Sequence, residues 1–277
     1  MTEPPPADSD RDPLEINTTV PNPSRLHNYL TGGQDNFAVD RELARDFREA
    51  APDADVPKAS ALAVESFAAR AVRYLVGEGV RQFLTTTFIP ISSPIHELAQ
   101  ELAPTTRVVY IGSDPVALAH AHSFRKSTSE GATAFIHDSV RRNPRRLLRQ
   151  AAATLDFSQP VALMLLETLS FIRDEDDPWG IVTQFVERLS SGSYLVVAHS
   201  TNDIQTDRMN EMAKRLTEDL DWTWVPRDRA EIARFFDGLE LTEGGIVHID
   251  QWRRHEHQPI PFAEELIPLY GAVARKP

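Results

Sequence analysis

The residues able to do chemistry in this chain stand mostly at the ends of apolar runs. Thr85-Thr86-Thr87 follow Phe83 and Leu84. Three adjacent hydroxyls could hold a small anion or a nucleotide, or simply bond to neighbouring backbone at a strand end. Asp114 lies two residues beyond the run VVYIG (108–112), and Asp138 directly follows AFIH (134–137). An acid at such a place either caps the next helix or meets a ligand donor. In YLTGGQDNF (29–37), Tyr29 ends an apolar helical face. Gly32-Gly33 supply a turn, and Asp35 and Asn36 suit an Asx turn or a ligand-facing loop. His199 follows SYLVVA (193–198). It is a base only where a substrate proton comes within ~3 Å, and a structural histidine is the commoner outcome.

Other clusters point away from chemistry. The acids of DEDD (174–177) precede Pro178 at a helix start, where they complement the helix dipole. They lack the alternating ligands and glycine of a calcium loop, and no metal site is expected. His96, His120, His122 and His137 have no metal-ligand spacing. RRNPRRLLRQ (141–150) carries five arginines without interleaved aromatics, which fits a solvated face or an acidic partner better than phosphate. No Ser-His-Asp set or phosphate-binding loop can be assembled.

Composition narrows the function classes. Lys and Arg number 29 against 41 Asp and Glu, a net charge of −12, so nucleic acid is not an expected partner. With no cysteine, the chain has no disulfide, thiolate metal site or Cys nucleophile, which fits a reducing, cytoplasmic setting. No apolar run approaches the ~20 residues of a membrane helix. Residues 1–20 read as an acidic, proline-rich tail, unlike a signal peptide.

Elements must place these residues. Helical periodicity occupies 23–30, 40–50 and 61–78. From Gln82, β-rich runs alternate with helical ones: strands at 82–88, 107–111, 132–137, 161–166 and 193–198, and helices at 95–102, 115–124, 142–153 and 178–189. This alternation predicts a doubly wound, mostly parallel α/β sheet with right-handed crossovers. Helical stretches near 205–219 and 227–236 precede two β runs, 239–250 and 269–275, which should pair antiparallel at one edge. Ligands of such a sheet sit at the carboxyl ends of its strands, here 85–94, 112–115, 137–140, 166–173 and 199–203.

That order, with PSRLHNYLTGGQDNFAVDRE (23–42), HELAQELAPTTRVVYIGSDPVALAHA (96–121), GSYLVVAHST (192–201), EIARFFDGLELTEGG (231–245) and YGAVARKP (270–277), resembles the bacterial S-adenosyl methyltransferase family, once known only as a domain of unknown function. It belongs to the class I methyltransferase superfamily. The resemblance implies a seven-stranded Rossmann-like sheet, a helical lid or extension over 21–80, and a methyltransferase-like α/β unit over 81–277. It implies S-adenosyl-L-methionine as cofactor and a small molecule or protein as substrate. The cofactor-contacting positions it implies are Tyr29, Gly32, Gly33, Asp35 and Asn36 on the lid, then Thr85, Thr86 and Thr87, Asp114, Asp138 with Ser139, and Glu167. In related enzymes the acid matching Asp138 binds the adenine amino group.

The chain departs from the pattern at four places. The glycine-rich turn after the first strand reads TTTFIP (85–90). Gly112 stands where the family places the acid that holds the ribose hydroxyls. Val64 stands for a polar Asn, and Ser170 for His. A hydrogen bond to a charged group is worth ~1.5–3 kcal/mol, so losing the ribose acid costs ~10- to 100-fold in affinity. These departures motivate an alternative function, a catalytically inactive relative that binds another metabolite or a protein. No catalytic residue or oligomeric state follows from the sequence.

Overall fold

The computed structural model describes residues 16–51, 53–86, 94–117, 127–220, 222–254 and 267–277. Three helices come first: α1 (Pro23–Leu30), α2 (Ala38–Ala50) and α3 (Val56–Gly77). Asn22 caps α1 by accepting from the Ser24 N–H, and Pro23 fits the first turn, where no amide donor is needed. Gly32, at φ 95°, lets the chain turn sharply after α1. Asp40, wholly buried, then ties the three segments. Its carboxylate accepts from the Phe37 and Asn22 amides and from Arg25 Nε. The third helix starts five residues earlier than its apolar periodicity predicts, with Pro57 in its first turn, where no amide donor is needed.

The sheet follows: β1 (Gln82–Thr86), α4 (Ile95–Leu102), β2 (Arg107–Gly112), β3 (Ala132–His137), α5 (Pro144–Ala151), β4 (Ala162–Leu166), α6 (Pro178–Val186), β5 (Tyr194–Ser200), α7 (Thr206–Leu220), α8 (Arg229–Ala233), β6 (Glu240–Leu241), β7 (Val247–His248) and β8 (Leu269–Arg275). The expected helix over 115–124 begins at Pro115; most of it lies outside the described residues. The strands run in the order β3-β2-β1-β4-β5-β8-β6, parallel from β3 to β5. β8 is antiparallel to β5, and β6 and β7 both pair with β8. One run in the sequence, 239–250, therefore yields two short strands. The partner of β8 moves from Leu241 opposite Ala274 to Val247 opposite Gly271, and the surplus residues loop out at Gly244-Gly245, both at positive φ. The sheet thus has eight strands where seven were expected.

Both faces of the sheet are covered. Phe67, Val72 and Leu75 of α3 pack on Phe83, Val108, Met164, Val196 and Val273. On the other face, Leu147, Leu148, Ile181, Phe185 and Ile232 pack on Leu84, Val109, Leu163, Leu165 and Val197. Burial of each large side chain contributes ~1.5–3 kcal/mol. Gly271 is required where it stands, since a Cβ there would lie 2.9 Å from the ring of Phe67. A third cluster joins Leu26, Leu43 and Phe47 to Met209, Met212, Leu216 and Trp224. It seats α1 and α2 against α7. Among the described residues no helix is long and apolar enough to cross a membrane.

Candidate active site

The parallel strands β1 to β5 end together, and their carboxyl ends carry most of the polar residues singled out from the sequence. At β1, Thr85 is fully buried and its hydroxyl donates to the Thr86 carbonyl, 3.2 Å. Thr86 accepts a 2.6 Å hydrogen bond from the Thr168 hydroxyl. Thr87 lies outside the described residues. At β2, Gly112 is half-exposed. Asp114 is committed elsewhere. Its Oδ1 accepts from the Val116 and Ala117 amides, and its Oδ2 lies 3.5 Å from Arg25 Nη1. That pair anchors α1 to the end of β2.

At β3, Asp138 Oδ1 accepts from the Ser139 amide at 2.8 Å. Its Oδ2 is buried and accepts no hydrogen bond; Arg146 Nε lies 3.5 Å away. A buried carboxylate oxygen without a donor is uncommon, and the amino group of a bound ligand is the kind of partner it lacks. His137 bonds to the Ser113 carbonyl.

At β4, Glu167 turns into the left-handed region, φ 58°, a conformation costly for a residue with a Cβ and concentrated at functional sites. Ser170 donates to its Oε1 at 3.1 Å and Ser200 to its Oε2 at 2.6 Å. Although one edge is open to a cavity, burial dominates and pushes the carboxyl up to about 7, against the two serine hydrogen bonds, which favour the ionised form. At β5, His199 is sealed from solvent. Its Nδ1 lies 2.7 Å from the Ser200 carbonyl, so it is the protonated nitrogen, and Nε2 accepts from Arg227 Nη1 at 2.9 Å. Burial first and the Arg227 charge second lower it to about 3, leaving a neutral structural imidazole. Arg227 also donates to the carbonyls of Leu169 and Ile172 and pairs with Asp174. Asp174 is thus held by Arg227, Asp177 caps α6 by accepting from the Gly180 amide, and Glu175 and Asp176 are exposed.

Three cavities meet at these strand ends. The first, about 100 Å³, is walled by Asn22, Pro23 and Ser24 from α1 and its cap, with Thr86, Gly112, Ser113, Asp138, Ser139 and Phe171. The second, about 340 Å³, lies between α3 and α4 and includes His27, Val64, Glu65, Thr86 and Tyr110. The third, about 80 Å³, is apolar: Leu26, Leu30, Phe47, Val64, Phe171, Met209, Met212 and Trp224, with Glu167, Ser200 and His27 as its main polar walls. Thr86 joins the first to the second, His27 and Val64 the second to the third, and Pro23 and Phe171 the third to the first.

The loop after α1 is placed differently from the strand ends. Asn36 donates to Asn28 Oδ1 and to the Gly33 carbonyl, closing the turn on itself. Tyr29 is exposed and Asp35 half-buried, and the residues of this loop wall none of the three cavities. The start of α1, not its end, reaches the strands. The pair His27–Glu65, 3.1 Å apart and 38 residues apart in sequence, was not singled out from the sequence, and no local spacing could reveal it.

Sheet order, the antiparallel last strand and ligand-sized cavities at the strand ends define a class I methyltransferase fold. A family model described as S-adenosyl methyltransferase matches residues 9–277. The chain belongs to this S-adenosyl methyltransferase family. Its solved relatives include a DUF574 family protein from Streptomyces avermitilis, 35% identical, with a TM-score of 0.88 over 95% of this chain and 100% of that one. A Thermobifida fusca protein proposed to be a methyltransferase is 30% identical, with a TM-score of 0.81 over 92% of this chain and 95% of that one. At 10% identity, magnesium protoporphyrin IX methyltransferase from Synechocystis, solved with bound SAH, shares the fold, with a TM-score of 0.52 over 80% of this chain and 87% of that one. No curated protein matches the chain.

Proposed function

We propose that the chain is an active S-adenosylmethionine-dependent methyltransferase that holds the donor across the first two cavities and a small acceptor in the apolar third. The observation that carries this reading is the shared walls: each cavity borders both others, through Thr86, through His27 and Val64, and through Pro23 and Phe171, and Glu167 walls the third. The donor supplies an electrophilic methyl group. Asp138 and Ser139 suit its adenine end, because the orphaned Asp138 oxygen lacks a donor there. Thr86 and His27 wall the path between the cavities. Residues 21–80 then act as the cover, with the start of α1 over the strand ends and α3 beside them. Transfer of this kind depends chiefly on positioning.

Isothermal titration of the full chain with S-adenosylmethionine and S-adenosylhomocysteine tests this. Micromolar binding, weakened about tenfold or more in Asp138→Asn, is the expected result. No heat at millimolar ligand would overturn the reading. It would favour the second one, a non-catalytic relative that binds another metabolite. That second reading is supported by Gly112 at the ribose position and by Asp114, whose oxygens are occupied by the following helix and Arg25.

A further inference from the structure

We propose that the apolar cavity takes a small primary or secondary alkylamine as its cation, with Glu167 as counter-ion and as acceptor of its proton. The proposal rests on the reading above only for the source of the methyl group.

Four observations support it. Among the described residues no cationic side chain forms an ion pair with Glu167. An enclosed carboxylate without a cation is costly, and a ligand ammonium completes the pair. The Ser170 and Ser200 hydroxyls each donate to one carboxylate oxygen. Each oxygen therefore keeps lone-pair capacity for a ligand. The left-handed backbone at Glu167 holds the residue at the strand end, against its own preference, where it walls the same cavity as Phe171 and Leu26. Its other walls include Trp224, Phe47, Met209 and Met212. Aromatic faces favour cations, and unbranched thioethers yield to ligands of different shape, so a cavity of about 80 Å³ admits the amine end first and its carbons past the methionines.

The chemistry balances without any further reactant. An ammonium N–H bond breaks, an O–H bond forms on a Glu167 oxygen, and the nitrogen keeps the electron pair. One cation and one anion become a neutral amine and a neutral acid, a pair that apolar walls favour. The freed lone pair is what a methyl acceptor requires. The titratable groups near Glu167 are His27 on α1, in the same cavity, with Glu65 of α3 behind it, and His199 on β5, reached through Ser170, with Arg227 and Asp174 behind it.

The test compares butylamine, hexylamine and 2-phenylethylamine with the alcohols of the same shape, by calorimetry on the full chain at pH 8, with S-adenosylhomocysteine titrated in parallel. At least one amine should bind ~10- to 100-fold more tightly than its alcohol, the worth of a charge-assisted hydrogen bond. Glu167→Gln should erase that preference. In the unaltered chain, amine affinity should fall about tenfold per pH unit below about 7. If no amine exceeds its alcohol tenfold, or if the preference survives in Glu167→Gln or below pH 6, the proposal fails. Binding of S-adenosylhomocysteine without amine preference overturns this proposal alone. Amine preference without S-adenosylhomocysteine binding overturns the donor reading alone.

Discussion

Replacing Glu167 by Gln should stabilise the protein at pH 8 and leave it nearly unchanged at pH 4. The carboxyl titrates near 7 when folded, against 4.5 as its ordinary value. Between those values the folded chain binds more protons than the unfolded one, so this group makes stability fall as pH rises, and above pH 7 the whole cost is present. At ~1.4 kcal/mol per pH unit the interval sets an upper limit of about 3 kcal/mol. Gln fits the same place. Its oxygen accepts from one serine, and its NH₂ donates to the other once that hydroxyl turns. At ~2–4 °C per kcal/mol for a chain somewhat shorter than this one, Tm should rise at pH 8 by several degrees and by no more than about 10 °C. His199 acts in the opposite sense. Its folded value of about 3 lies below the ordinary 6.5, so the unfolded chain binds more protons between them, and stability is lost as pH falls through that window. The two slopes oppose each other from about pH 4.5 to 6.5 in the native chain, whereas the Gln variant should keep only the histidine slope. Scanning calorimetry of both chains from pH 4 to 8 reads this directly. A stability difference independent of pH would refute the argument, because it would show that Glu167 titrates alike in both states.

Two further outcomes follow from neighbouring residues. Arg227→Met should cost at least ~2 kcal/mol, measured by urea unfolding, because it leaves the Leu169 and Ile172 carbonyls and His199 Nε2 without their donor in a buried site, at ~1–3 kcal/mol for an unsatisfied group; a loss under ~1 kcal/mol would contradict that role. Gly112→Asp should tighten S-adenosylhomocysteine by ~10- to 100-fold in calorimetry, by restoring an acceptor at the end of β2; unchanged affinity for ribose-containing ligands would place the cleft elsewhere.

Much of the scaffold was legible because local pattern and global fold agree. VALML at 161–165 is apolar throughout, and β4 is buried on both faces. Asn22-Pro23 announced the start of α1, and it caps as expected. The ends of the strands were legible as places, since any parallel sheet exposes its ligand face there. The split of one edge run into β6 and β7 was not, because the register against β8 depends on where three surplus residues loop out, not on their polarity.

Residue types and their periodicity alone determined the sheet, its helical cover and the neighbourhood of the site, because burying apolar faces leaves few ways to arrange such a chain. Only the tertiary structure decided which polar residues face a cavity. Asp114 and Asp138 look alike in sequence, yet Asp114 Oδ1 is taken by two amides of the next helix and Asp114 walls none of the three cavities, whereas Asp138 walls the first and has one buried oxygen without a hydrogen bond. Glu167 and His199 acquire their altered proton affinities from burial and from partners as distant in sequence as Arg227, and desolvation of this kind is a property of the packed interior that no stretch of chain carries by itself.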